Sequence, residues 1–210
     1  MKNLKIGQKI ILILGLVLVV FTGMSIYTIN EMKHLSKMQD EGAIRAEDAV
    51  IMQEGGAMGH KLYLVIADAE INKDLKASAE EWEKVKTETE NDFATMDTIV
   101  DTDRERVWFN EAKQEKDKLI SLYENDMLPL LKAEVDSAIE AKIREIDAEI
   151  DAKVKSMEKP LIQIVGSIHD ESTAADGVYD DTSVSVRNLI VFLLILVVLI
   201  SRMNRSLLQL

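Results

Sequence analysis

The sequence predicts an all-α protein, an antiparallel four-helix bundle held between two transmembrane helices. Three observations lead there. Uncharged apolar residues are concentrated in two runs near the ends of the 210-residue chain. All 37 acidic residues fall between Glu31 and Asp181. The segment between the apolar runs is rich in Ala, Glu, Lys, Ile, Leu and Met, with two prolines and few aromatics, which favours long helices over a β core.

The first apolar run, Ile10 to Ile29, reads "IILILGLVLVVFTGMSIYTI" and carries no charge. As a helix it is about 30 Å long, enough to cross a hydrocarbon core. Lys2, Lys5 and Lys9 before it would also suit a signal peptide. The run is longer than a signal h-region, however, and "FTGMSIYTI" has no A-x-A-like cleavage site, so an uncleaved span is expected. The second run, Asn188 to Ser201, lies between Arg187 and Arg202 and would be about 21 Å as a helix. That is short for a span, but flanking arginines can reach the headgroups and a bilayer can thin locally.

Orientation follows from the flanks. With basic residues on both ends, the positive-inside rule puts 1–9 and 202–210 in the cytoplasm and 30–187 outside. Removing the five basic flanking residues from the formal charge of −12 leaves −17 for the segment from Glu31 to Arg187. The expected order is thus an N-terminus (1–9), a span (10–29), an extracytoplasmic bundle (30–187), a second span (188–201) and a cytoplasmic exit (202–210).

A segment that leaves and re-enters one membrane face must contain an even number of passes. The first helix is expected to run on from the membrane to about Ile71, where "INKD" supplies a turn. The second is expected from Leu75 to Val100, and "DTD" at 101–103 both stops it and caps the third. The third starts at Arg104 and ends near Ala133, with Pro129 either ending it early or opening a new segment after Asp126. The fourth runs from about Ala138 to the membrane. Its apolar positions Ile143, Ile146, Ile150, Val154, Met157, Leu161, Ile164 and Ile168 follow steps of 3 and 4, a near-heptad seam toward partner helices. Leu75, Ala79, Trp82, Phe93, Met96 and Val100 form the expected stripe of the second helix. Trp108, Leu119, Leu122 and Tyr123 are the expected anchors of the third. Pro160 falls inside the fourth-helix seam and is expected to kink or locally break it. Gly55, Gly56 and Gly59 in "EGGAMGH" mark either close helix packing or a widened spot beside a ligand.

Site chemistry is sparse. There is no cysteine, hence no disulfide, thiolate metal site or cysteine nucleophile. On straight helices His60 stands roughly 46 Å above the first span and His169 roughly 27 Å above the second, with His34 near the membrane. They cannot share a metal, and no metal or cofactor is expected. The carboxylates of "EIDAEIDAK" and "EEWEKVKTETENDF" alternate with lysines as a solvated face. No G-x-S-x-G, P-loop or GxGxxG is present, and the acidic outer segment would repel nucleic acid. An enzyme is not expected.

The opening "MKNLKIGQKIILILGLVLVVFTGMSIYTINEMKHL" resembles that of methyl-accepting chemotaxis receptors, with a short basic N-terminus, one span and a long helix directly after it. "KLYLVIADAEINKD" at 61–74 resembles the end of the first sensor helix of their four-helix ligand-binding domains, and "LISRMNRSLLQL" resembles the exit into a HAMP linker. Ser206 stands where that linker usually has proline. No HAMP helix pair or kinase-coupling tip follows Leu210, so the chain reads as an input module whose output half lies elsewhere. The resemblance implies a homodimeric receptor in the bacterial inner membrane with a small-molecule ligand. Amino-acid-sensing members use arginines in the distal half of the first helix. In the matching stretch this chain offers Lys61 with Tyr63 beside it, and Lys155 on the fourth helix at a similar height. These three are the expected ligand contacts, and Pro160, Arg187 and Arg202 the expected signal-transmitting positions. The same input module could serve a histidine kinase or a cyclic-dinucleotide enzyme. A membrane-anchored helical adaptor that binds another protein is the reading from a different class.

Overall fold

A computed structural model describes residues 6–134 and 136–208, and among these every regular element is helical. Helix α1 spans Ile6–Gly56, α2 Met58–Asn72, α3 Leu75–Ile99 and α4 Asp103–Ser121. A π-helical segment, Leu122–Met127, leads into the single turn of α5, Leu128–Leu131, and α6 spans Ser137–Leu208. The chain divides into two compact units, Met1–Ala43 with Ser172–Leu210, and Ile44–Glu171.

The helix ends follow from local chemistry. Lys73 terminates α2 in the left-handed region, at φ 55°. A residue with a Cβ pays steric strain there, whereas glycine does not. Lys73→Gly is therefore expected to stabilise the protein by about 0.5–1 kcal/mol, visible as a higher melting temperature. Asp74 caps α3 by accepting the Ala77 N–H at 3.2 Å. Thr102 caps α4 in a reciprocal capping box with Glu105. Asp136 accepts the Ala138 and Ile139 N–H groups at 2.9 and 2.8 Å and so opens α6.

In the 44–171 unit the interior forms two apolar clusters. One gathers Leu62, Val65, Ile66 and Ala69 of α2 with Trp82 and Val85 of α3, Leu119 and Ile120 of α4, Tyr123 and Met127 of the π segment, and Ile143, Ile146, Ile150 and Val154 of α6. The other joins Met52 of α1, Phe93, Met96 and Ile99 of α3, Phe109 and Ala112 of α4, and Met157, Leu161, Ile164 and Ile168 of α6. The seam expected on the fourth helix is thus buried along its whole length. The rings of Trp82 and Tyr123 lie 4.3 Å apart, and those of Phe93 and Phe109 5.8 Å apart.

Several expectations are corrected. The first helix is not continuous to Ile71, because Ala57 forms a turn between α1 and α2. Pro160 does not break α6, which continues through it, and the proline is buried. In the second-helix stripe Ser78 rather than Ala79 faces inward. Phe109, 1% exposed, replaces Trp108 as the α4 anchor. Trp108 is half-buried and instead carries the Arg104 guanidinium over its ring at 4.6 Å. Pro129 lies in the first turn of α5, where its missing N–H costs little.

The glycine motif is resolved as packing within one chain at two of its three positions. A Cβ at Gly55 would meet the Met96 sulfur at 2.3 Å, and one at Gly59 would meet Met157 Cε at 2.6 Å and Val154 Cγ1 at 3.2 Å. Gly56 faces open space.

The other unit contains the two apolar runs. Among the described residues, two helices are long and apolar enough to cross a membrane. Their large side chains face outward, with Ile11, Leu18, Val19 and Phe192 each more than half exposed. The call on 202–210 lies partly outside the described residues, which end at Leu208.

Candidate functional site

The three expected ligand contacts fall in two places. Lys61 is exposed and lines a cleft of about 560 Å³ with Glu54, Gly55, Asp92 and Thr95. Tyr63 is half-buried against the α2–α6 core and faces α6. Burial pushes its phenol pKa up, and the charges of Asp147 and Asp151 push it further. Lys155 is exposed and pairs with Asp151 at 2.5 Å. Asp151 therefore links Tyr63 and Lys155, while Lys61 belongs to the α3 side. His60 borders a separate cleft of about 510 Å³ with Gly56, Ala57, Glu158, Leu161, Ile162 and Val165. His34, His60 and His169 are all exposed. So are Arg187 and Arg202.

Two ionic links tie the helices of the 44–171 unit. Glu124, in the π segment, accepts from Trp82 Nε1 at 2.9 Å and from Lys86 Nζ at 2.7 Å. Glu115 on α4 pairs with Lys153 of α6 at 3.2 Å and with Lys118 at 2.5 Å. The Lys118 bond, helped by Lys153, holds the Glu115 carboxyl below its ordinary value of 4.5. Burial alone would raise Glu124, but the bonds from Lys86 and Trp82 outweigh it and the net shift is downward. Because the folded values lie below the unfolded ones, the stabilisation is present above about pH 4.5 and is lost as pH falls through the folded values. Glu124→Gln is accordingly expected to melt lower than the wild type at pH 7 and to converge with it near pH 3. Thermal melts across that range check this.

The densest charge cluster was missed by the sequence reading. Arg45 of α1, with its side chain 19% exposed, sits among four carboxylates. Its Nη2 donates to Glu171 Oε2 of α6 at 2.7 Å and pairs with Asp101 Oδ2 in the α3–α4 turn. Its Nη1 donates to the Ile99 carbonyl at 3.3 Å and lies 3.6 Å from Asp48 Oδ2. Glu105 of α4 completes the group and is fully buried. Its Oε2 accepts the N–H groups of Asp101 and Thr102 at 3.3 and 3.5 Å. Its Oε1 is buried without a hydrogen-bond partner. One carboxylate oxygen each from Asp101, Glu105 and Glu171 lies within 4.8 Å of the others.

The electrostatics agree with that geometry. Burial would lower the Arg45 pKa, but the bond and charge of Asp101, with Glu171 and Glu105, raise it, so the guanidinium stays charged. Burial also pushes the Glu171 carboxyl up, and Glu105 and Asp101 add to this against the opposing pull of Arg45. No local motif announces the cluster, because its members come from α1, the α3–α4 turn, α4 and α6. The partial signal was "DTDRE", where a glutamate three residues after a threonine marks a capping box.

Comparison with protein-family models, with curated proteins and with solved structures finds no match to this chain.

Proposed function

We propose that this chain is the sensory input part of a bacterial transmembrane chemoreceptor. In this reading 30–187 is an extracytoplasmic antiparallel four-helix bundle, 10–29 and 188–201 are spans of the inner membrane, and two copies form a homodimer. The observation that carries it is the composition of α6. One helix, Ser137–Leu208, holds the buried seam from Ile143 to Ile168 and the outward-facing apolar run after Arg187. A ligand that prefers one arrangement of that seam biases the helix that enters the membrane, which is a population shift rather than a chemical step. Pro160, Arg187 and Arg202 are the positions on α6 assigned to transmission. Tyr63 and Lys155 beside Asp151, and Lys61 in its own cleft, are the two candidate places for a small ligand.

Two experiments test the reading. Alkaline phosphatase inserted in the turn at Lys73 should be active, and a fluorescent protein fused after Leu210 should fold in the cytoplasm. The chain joined to the cytoplasmic half of a chemoreceptor should then change kinase output with one class of small molecule. A cysteine pair tying α1 to α6 near the membrane, in a chain otherwise free of cysteine, should abolish that response. An inactive phosphatase fusion, or a cross-linked chimera that still responds, would overturn the proposal.

A further inference from the structure

We propose that Asp101, Glu105 and Glu171 form a binding site for a hard divalent cation of the calcium type, and that Arg45 is a built-in cation competing for it.

The argument starts from Glu105. A fully buried carboxylate whose Oε1 has no partner is costly unless a cation compensates it. Arg45 does not bond to Glu105; its guanidinium is committed to Asp101, Glu171, Asp48 and the Ile99 carbonyl. One positive charge therefore serves four carboxylates, and the one most removed from water lacks a direct counter-charge.

The donor set specifies the ligand class. Three carboxylate oxygens within 4.8 Å of one another suit an ion that holds oxygens at about 2.3–2.6 Å, so that opposite ligands lie roughly twice that apart. There is no histidine or thiolate among the three, which favours a hard cation over zinc or copper. The carbonyl of Ile99, the last residue of α3, is within reach of the same guanidinium, and a helix C-terminus favours positive charge. A cation on Glu105, Asp101 and Glu171 would free Arg45 to turn toward Asp48 on its own helix. That exchange links a bond between α1 and α6 to the concentration of a metal ion.

The sequence reading expected no metal because it weighed histidines and short motifs. The three ligands are assembled by the fold and leave no local spacing to find. The inference stands on these residues and not on the chemoreceptor reading.

The test uses the full chain in a non-ionic detergent, stripped with a chelator, with thermal unfolding followed by circular dichroism as calcium chloride is added. The wild-type melting temperature should rise saturably, with a dissociation constant in roughly the 0.1–1 mM range of extracellular modules. Glu105→Gln and Glu171→Gln should each weaken binding by about tenfold or more, since even outer-shell changes reach that size. Arg45→Gln should tighten it. Gln at 105 keeps an oxygen for the cap, and if that variant does not fold, Glu171→Gln and Asp101→Asn decide. The site is overturned by no calcium-dependent rise, by an equal rise in Glu171→Gln and Asp101→Asn, or by an equal rise from sodium chloride at matched ionic strength. Unchanged affinity in Arg45→Gln overturns the competitor role.

Discussion

Phe109→Ala should remove about 3–5 kcal/mol from the stability of the 44–171 unit. Phe109 is 1% exposed and lies in the cluster formed by Met52, Phe93, Met96, Leu161 and Ile164. The cost has two parts, the lost transfer of an aromatic ring and the cavity left where α1, α3, α4 and α6 all contribute side chains. Lys116 adds to it, because its ammonium sits 5.0 Å over the neighbouring Phe93 ring and is itself buried. Set against a usual total of about 5–15 kcal/mol, that loss is a large share of the margin. Urea denaturation of the detergent-solubilised chain should show a lower midpoint. A shift below 1 kcal/mol would mean that Phe109 is not a core residue.

Gly59→Leu is the second large effect, and its contrast with Gly56→Ala makes it diagnostic. At Gly59 an added Cβ meets Met157 Cε at 2.6 Å, and Val154 contributes both Cγ1 at 3.2 Å and its Cα at 3.7 Å. The methionine tip can move aside, but the β-branched valine and the α6 backbone cannot easily follow. A leucine there overpacks the α2–α6 contact and should cost about 1–3 kcal/mol or more. At Gly56 nothing lies within 4 Å of the added carbon, so alanine should stabilise by up to about 1 kcal/mol through helix propensity. Thermal melts of the two variants should therefore move in opposite directions.

Much of the helical plan was legible beforehand, for physical reasons that can be named. The α6 seam could be read because a long amphipathic helix repeats its signal many times, and one polar interruption does not erase it. The ends near Asn72, Thr102 and Ser137 could be read because turn and cap residues act locally. What escaped was non-local or depended on phase. The break at Ala57 replaces one turn inside an otherwise helical pattern. The inward choice of Ser78 over Ala79 is a shift of one residue between two small side chains, which apolarity barely separates. Pro160 lacks one backbone donor, yet the buried residues on either side of it, Met157 and Leu161, hold the helix in register. Arg45 looked like one more charge on a solvated face, and only the fold brings Asp101, Glu105 and Glu171 to it. Tyr63 and Lys155 were paired by estimated height, and they share Asp151; Lys61 was joined to them by proximity along the chain, and it faces a different helix.

The π segment between α4 and α5 has a bearing on how long this arm of the chain can be. Six residues in that wider winding amount to one residue more than an α-helix would use. Leu128, Leu130 and Leu131 beyond it pack against the α2–α6 core in the phase that this extra residue sets. Deleting exposed Asn125 would return the winding to α pitch and rotate those leucines by about 100° about the axis. Their apolar faces would then turn from the core toward water. The length of the stretch from Ser121 to Leu131 is therefore governed by angle rather than reach, and a one-residue deletion inside it is a rotation as much as a shortening.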